Sequence, residues 1–327
     1  MERMRPALAA ALLMAAVPLA AQQEAPPPAA PPAPTAFTQL GDAADRMTVP
    51  VRVAGAGPFD FIIDTGAERS VLSRELAAEL GLPAGRQVNM TAMIGSGPVE
   101  TVIVPTLAVS ARDWVDLAAR RIEAPVLARA NLGAAGMLGI DALQGQSLTL
   151  DLARDTMQLT PTPPRRRVAR RADEIVVRAK SLYGQLIVTD ASWRGKRIRV
   201  IVDTGSPVTI ANAALRRLAR KPPASLGPVE FLAVNGERLF GDMAVLNDLQ
   251  IGGVALGGAA VAFAEATPFA RFGLTDTPAL LLGMNTLRMF RQVTVDFTNR
   301  EIRFSLPRPA NAANVCGALN IRCSRFL

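Results

Sequence analysis

One ordered set of features occurs twice along the chain, and a repeat of this length restricts the fold to two similar units. Asp64-Thr65-Gly66 returns as Asp203-Thr204-Gly205 after 139 residues (203 − 64), Met137-Leu138-Gly139 returns as Leu281-Leu282-Gly283 after 144 (283 − 139), and Leu148-Thr149-Leu150-Asp151 returns as Val293-Thr294-Val295-Asp296 after 145 (296 − 151). Between the copies lies Thr160-Pro161-Thr162-Pro163-Pro164, followed by Arg165, Arg166, Arg167, Arg170 and Arg171. Proline removes ladder donors, so this segment is expected to be a linker. A chain of 327 residues suffices for two domains of ordinary size, ~100 to 200 residues each.

Within each copy the pattern is that of strands: apolar or alternating runs of about four to eight residues, rich in Val, Ile and Thr and separated by glycine turns. Phe59–Ile63 follows Gly55-Ala56-Gly57, and Ile198–Val202 follows Arg194-Gly195-Lys196. Each is expected to be the second arm of a hairpin that delivers an Asp-Thr-Gly. Short helices punctuate the strands. Ser73 is placed to cap a helix over 74–80 with Gly81 as its stop, and Asn212 one over 213–220 with Pro222 beyond it. A second pair of one- or two-turn helices is expected to start at Asp141 and Asn285.

Composition excludes much of hydrolase chemistry. The chain has no histidine, which removes Ser-His and Cys-His nucleophilic pairs and His-ligated zinc sites together. Its two cysteines, Cys316 and Cys323, are too few for a structural zinc site and have no histidine to activate a thiol; a tail disulfide is the expectation. The formal charge of +8 is concentrated in the linker arginines, and one tyrosine with two tryptophans gives little to stack on bases, so no nucleic-acid partner is expected. The N-terminus carries Arg3 and Arg5 before an apolar run from Pro6 to Ala21, shorter than the ~20 residues that span a bilayer. That layout is a signal peptide, with an uncleaved anchor as the alternative, and it implies a periplasmic or secreted protein with no membrane span after cleavage.

Asp-Thr-Gly by itself is a weak signal, since an Asp before Thr-Gly is often a turn residue. Here it occurs twice, each time ending an apolar strand, each time with a hydroxyl residue six positions after the Asp (Ser70, Thr209), and each time with an apolar-apolar-Gly downstream. From Ile63 to Val71 with Met137-Leu138-Gly139, and from Val202 to Ile210 with Leu281-Leu282-Gly283, the chain resembles the retropepsin-like aspartic proteases, in the bacterial exported form with two fused copies. The resemblance spans about Met47 to Leu306. It implies an all-β fold of two barrel lobes with the active site between them, an apolar-apolar-Gly strand crossing behind each Asp loop, and Asp64 and Asp203 as catalytic carboxylates. Thr65, Gly66 and Ala67 with Thr204, Gly205 and Ser206 would form the active-site loops, the threonines hydrogen-bonding across the lobe interface.

Two carboxylates ~3 Å apart cannot both ionise; they share a proton, one acting as base toward water while the other polarises the scissile carbonyl, so neither metal nor cofactor is required. Gly66 and Gly205 are expected to allow a tight turn. Ser70 and Thr209 read as structural hydroxyls. Only Ser206, not Ala67, offers the neighbouring carboxylate a side-chain hydrogen bond, which would make the two aspartates unequal. Ile94-Gly95-Ser96-Gly97 and Val234-Asn235-Gly236 lie at comparable positions and read either as flap hairpins over a peptide or as ordinary surface turns.

The expected organisation is signal peptide 1–21, Pro/Ala-rich tether 22–36, N-terminal lobe 37–160, linker 161–173, C-terminal lobe 174–308 and a tail 309–327. The expected function is an aspartic endopeptidase, a monomer with pseudo-twofold lobes, acting on a protein or peptide substrate among exported or envelope proteins. A double barrel that binds peptides without cleaving them is the alternative, and self-processing at the arginine-rich linker is a special case of the first.

Overall fold

Alternating sequence makes the first strand of each repeat one-sided at its outer end. In Arg46–Val53, Val51 and Val53 are buried while Pro50 and Arg52 are partly exposed; from Arg46 to Val49 every residue is buried, because that end enters the middle of the molecule. The computed structural model describes residues 36–39, 41–43, 46–109, 115–117, 121–162, 174–219 and 221–306. The expected signal peptide, most of the tether and linker, and the Cys316–Cys323 pairing lie outside the described residues.

The fold is all-β in two lobes. In the first, Arg46–Val53 and Ala56–Ile63 form the expected hairpin, with Thr48 opposite Ile62. The strand Gly136–Leu138 lies between Ala56–Ile63, to which it runs parallel, and Val71–Ser73, to which it runs antiparallel. The second lobe repeats this: Ala279–Leu282 runs parallel to Arg199–Val202 and antiparallel to Thr209–Ala211. Each crossing strand fastens its Asp loop from behind, through Asp64 N–H to Leu138 carbonyl at 2.9 Å and Asp203 N–H to Leu282 carbonyl at 3.1 Å. Gly139 and Gly283 follow at once because a Cβ there would collide with the backbone of Arg69–Ser70 and of Val208.

The lobes are joined by a sheet symmetric about their boundary. Gln146–Asp151 of the first pairs antiparallel with Gln292–Asp296 of the second, and Thr149 and Thr294 meet there at 3.0 Å. Outward from this pair come Thr156–Pro161 and then Ala36–Gln39 on one side, Glu301–Ser305 and then Glu174–Leu182 on the other. Ala36 and Pro161, expected in tether and linker, are therefore strand residues. Pro161 lies past the pairing of Ala36–Gln39, where no described residue needs its missing N–H. One apolar cluster runs through this sheet into both lobes, from Val49 and Leu138 to Trp193, Leu282 and Phe304.

The helices are shorter than the sequence suggested. Arg74–Glu79 starts where expected, with Ser73 Oγ accepting from Leu76 N–H at 3.1 Å, and Gly81 takes a left-handed φ of 57° just beyond. Asn212 caps Ala213–Arg217, which stops three residues before the expected end, ahead of the prolines that follow. Ile140–Leu143 and Met284–Leu287 begin one residue earlier than expected, with Gly139 and Gly283 at their N-caps.

Phe304 is fully buried in the joining sheet, its ring 4.7 Å from that of Phe290. Phe304→Ala is expected to lower stability by about 3–5 kcal/mol, the range for truncating a buried phenylalanine, measured by urea denaturation.

Candidate active site

The two strands that end in Asp64 and Asp203 point at each other across the lobe boundary, and the residue after each aspartate locks the approach. Thr65 N–H donates to Thr204 Oγ1 at 3.0 Å and Thr204 N–H donates to Thr65 Oγ1 at 3.2 Å. Each hydroxyl then donates onward into the opposite lobe, Thr65 to Val202 carbonyl at 2.8 Å and Thr204 to Ile63 carbonyl at 2.7 Å. Every polar group in this buried exchange has a partner.

The glycines matter for a reason other than the one expected. Neither Gly66 nor Gly205 has a positive φ. A Cβ on Gly66 would lie 2.7 Å from Asp203 Cγ, and one on Gly205 would lie closer still to Asp64 Cγ. Each glycine is the floor on which the opposite carboxylate rests. Each also donates its N–H to its own aspartate, Gly66 to Asp64 at 2.7 Å and Gly205 to Asp203 at 3.0 Å.

Asp64 is 8% exposed and Asp203 6%. Burial pushes both carboxyls above the ordinary range. For Asp64 the rise is opposed by the Gly66 N–H and by the charge of Arg46. For Asp203 burial is reinforced by the negative charge of Asp64, which pushes it well up. The expected source of inequality is not found: Ser206 Oγ donates to Val208 carbonyl at 2.8 Å, a contact made inside its own turn, so the hydroxyl is not turned to the carboxylate.

Ser70 and Thr209 are structural. Ser70 Oγ accepts from Gly139 N–H at 3.0 Å and donates to Asp141 at 2.7 Å; Thr209 Oγ1 accepts from Gly283 N–H at 3.1 Å and donates to Asn285 at 2.9 Å. Asp141 and Asn285 thus brace the two Asp loops from behind in matching positions. Burial raises the Asp141 carboxyl, against the hydrogen bonds from Ser70.

Both suspected hairpins are present. Val88–Thr91 and Ser96–Val99 are joined through Ala92–Gly95, so Ile94 and Gly95 sit in the turn and Ser96 and Gly97 on the returning strand. Ser225–Leu232 and Arg238–Leu246 are joined through a turn that holds Val234, Asn235 and Gly236. The tips meet: Asn235 Nδ2 donates to Ile94 carbonyl at 2.9 Å. Met93 and Ile94 pack against the second lobe's cluster around Ile201 and Leu281, while Val234 packs against the first lobe's around Ile62 and Met137. Thr267 ties the first tip down, accepting from Gly95 N–H at 2.8 Å and donating its own N–H to Met93 carbonyl at 2.9 Å. A groove of about 430 Å³ opens beside the hairpins, lined by Met90, Val99, Leu127 and Asn235 among others, and neither aspartate lines it.

Sequence reasoning missed Arg46, Gln185 and the Glu68–Arg271 pair. Arg46 is 9% exposed, and its Nη2 donates to Leu132 carbonyl. Gln185 is 6% exposed, and its Nε2 donates across the boundary to Gly66 carbonyl. They are 139 residues apart (185 − 46), the same offset as the aspartates, and extending the repeat comparison upstream of Asp-Thr-Gly would have found them. Arg271 Nε donates to Glu68 Oε1 at 3.0 Å, linking a helix of the second lobe to the Asp64 loop; no local spacing signals that contact.

Comparison with known sequences fits this geometry. A family model described as aspartyl protease matches residues 49–142 and again 189–286, together more than half of the chain. Comparison with curated proteins returns no match.

The raised carboxyls imply a pH dependence of stability. An acid with a higher pKa folded than unfolded binds more protons in the folded state, so stability falls as pH rises from the unfolded value, about 3.9, through the folded one. Asp203→Asn should therefore raise the melting temperature at pH 7, and the gain should vanish below about pH 4, where Asp203 is protonated in both states. Thermal melts of both proteins across that range check this.

Proposed function

The chain belongs to the aspartyl protease family, and on that footing we propose that it is an endopeptidase in which Asp64 and Asp203 activate one water between them. The observation that carries this reading is the pair itself: two buried carboxylates, one from each repeat, each resting on the other's glycine. Burial and mutual repulsion favour a single shared proton, which leaves one carboxylate to act as base and the other as acid.

The steps balance with these groups alone. The ionised carboxylate takes a proton from water as its oxygen bonds to the scissile carbonyl carbon, and the protonated carboxyl gives its proton to the carbonyl oxygen. A neutral gem-diol results. The first carboxyl then protonates the peptide nitrogen, the second takes a diol proton, the C–N bond breaks, and the pair returns to one shared proton. An extended peptide would lie between the lobes under the two hairpins, whose meeting tips would keep water from the reacting bond.

The substrates we propose are extended segments of exported or envelope proteins, in keeping with the signal-like leader. No helix among the described residues is long and apolar enough to cross a membrane. Both aspartates come from one chain, so the monomer is proposed to be the active form.

Turnover of a denatured protein mixture, with and without a statine-type inhibitor, tests the reading. Asp64→Asn and Asp203→Asn should each lose ~10²- to 10⁴-fold in turnover while remaining folded, and the double variant should be little worse, since the pair acts as a unit. A protein that binds peptides but turns none over would instead be the non-cleaving module. Turnover should also survive EDTA, because no step passes through a metal; loss on chelation would remove the two-carboxylate mechanism.

A further inference from the structure

We propose that Arg46 and Gln185, equivalent residues of the two lobes, decide which aspartate does what: Arg46 holds the negative charge on Asp64 and makes it the base, and uncharged Gln185 leaves the proton on Asp203. This rests on the reading of Asp64 and Asp203 as the catalytic pair.

Strand register places the residues. In the first lobe the last pair of the ladder is Thr48 with Ile62, and carrying that register two residues on puts Arg46 level with Asp64, one residue past the strand's end at Ile63. In the second, the last pair is Ile187 with Ile201, and the same two-residue continuation puts Gln185 level with Asp203, one residue past the strand's end at Val202. Opposed residues of an antiparallel pair share a face, so by the continued register Arg46 and Gln185 fall on the sides of the sheet from which Asp64 and Asp203 leave it. The two repeats therefore offer equivalent positions to their carboxylates, and fill one with a cation and the other with an amide.

Arg46 is a buried guanidinium whose hydrogen bond goes to a neutral acceptor, the Leu132 carbonyl, and the carboxylates acting on its charge are Asp64 first and Asp203 second. Gln185 gives its amide N–H to Gly66, and its Oε1 is buried with no donor, an acceptor that disfavours a second negative charge nearby. The other charges around the pair are Asp141, whose carboxyl behind the Asp64 loop takes hydrogen bonds from Ser70, and Glu68, paired with Arg271, with Arg69 next to it in the same loop. The burial of Asp64 is offset by the Gly66 N–H and by Arg46, and of these only Arg46 carries a charge. Arg46 is a positioning residue in this account; it moves no proton.

Removing a cation raises both titrations of the pair, the one that creates the single anion and the one that creates the second. The whole bell of kcat/KM against pH should then move to higher pH in Arg46→Gln, by about one unit, the low end of what an opposite charge within a few ångströms produces. Arg46→Lys keeps the charge and should keep the bell in place. A folded Arg46→Gln variant with an unmoved bell overturns the proposal. Should that variant fail to fold, Arg46→His decides the matter, because the chain has no other histidine and a single imidazole resonance can be titrated by NMR. Its pKa should be lower with Asp64→Asn than with Asp203→Asn, because removing Asp64 leaves the pair's charge on Asp203, the weaker of the two at position 46; equal values in the two variants overturn the proposal. Absence of proteolysis by the wild-type protein would remove the protease reading, whereas the imidazole titration needs no activity and still tests the coupling of position 46 to Asp64.

Discussion

Two carboxyl groups that are nearly out of solvent repel each other when ionised and lose hydration in either case, so something must hold them in place. Here it is the exchange between Thr65 and Thr204. Each threonine accepts from the other's N–H and donates to a carbonyl beneath the other's loop. Separating the lobes at this point would leave buried donors and acceptors without partners, a penalty of roughly 1–3 kcal/mol for each. The glycines follow from the same constraint. With the loops locked at this distance there is no room for a Cβ beneath the opposite carboxylate.

The rest of the molecule supports a centre that does not stabilise it. Burial and repulsion at the pair favour the protonated form, so near neutral pH the site works against folding. Opposing this are the sheet that joins the lobes, with Thr149 on Thr294 at its middle, and the apolar cluster continuous across it. The hairpin tips add a second bridge, each packing on the lobe to which it does not belong. A hairpin anchored in one lobe and seated on the other senses their separation, in keeping with the covering role proposed for it.

Carrying both halves on one chain frees them to differ. The framework residues match closely, but the residues around the carboxylates do not: Asp141 corresponds to Asn285, Ala67 to Ser206 and Arg46 to Gln185. Two of these three exchanges change the formal charge: Asp141 braces the Asp64 loop where Asn285 braces the other, and Arg46 is a cation whose charge favours ionised Asp64. A symmetric dimer would have to place the same groups on both sides, so the unequal roles proposed for the two aspartates are open only to a fused chain.

Much of this protein was set by its sequence alone: two all-β repeats, the hairpins that deliver Asp64 and Asp203, the strands of Met137-Leu138 and Leu281-Leu282, the Ser73 and Asn212 caps. All of these depend on spacing along a few neighbouring residues or on recurrence of one pattern, and both survive in a linear string. Tertiary structure decided the remainder, because it depends on which surfaces meet. Ser206 sends its hydroxyl to Val208 according to the shape of its turn, Glu68 finds Arg271 from the far lobe, and Arg46, about eighteen positions before Asp64 in a strand that looks ordinary, comes level with it only when the ladder register is carried past Ile62. A buried charge is costly until its counter-charge is placed, and that placement is a property of the packed lobes rather than of any local run of residues.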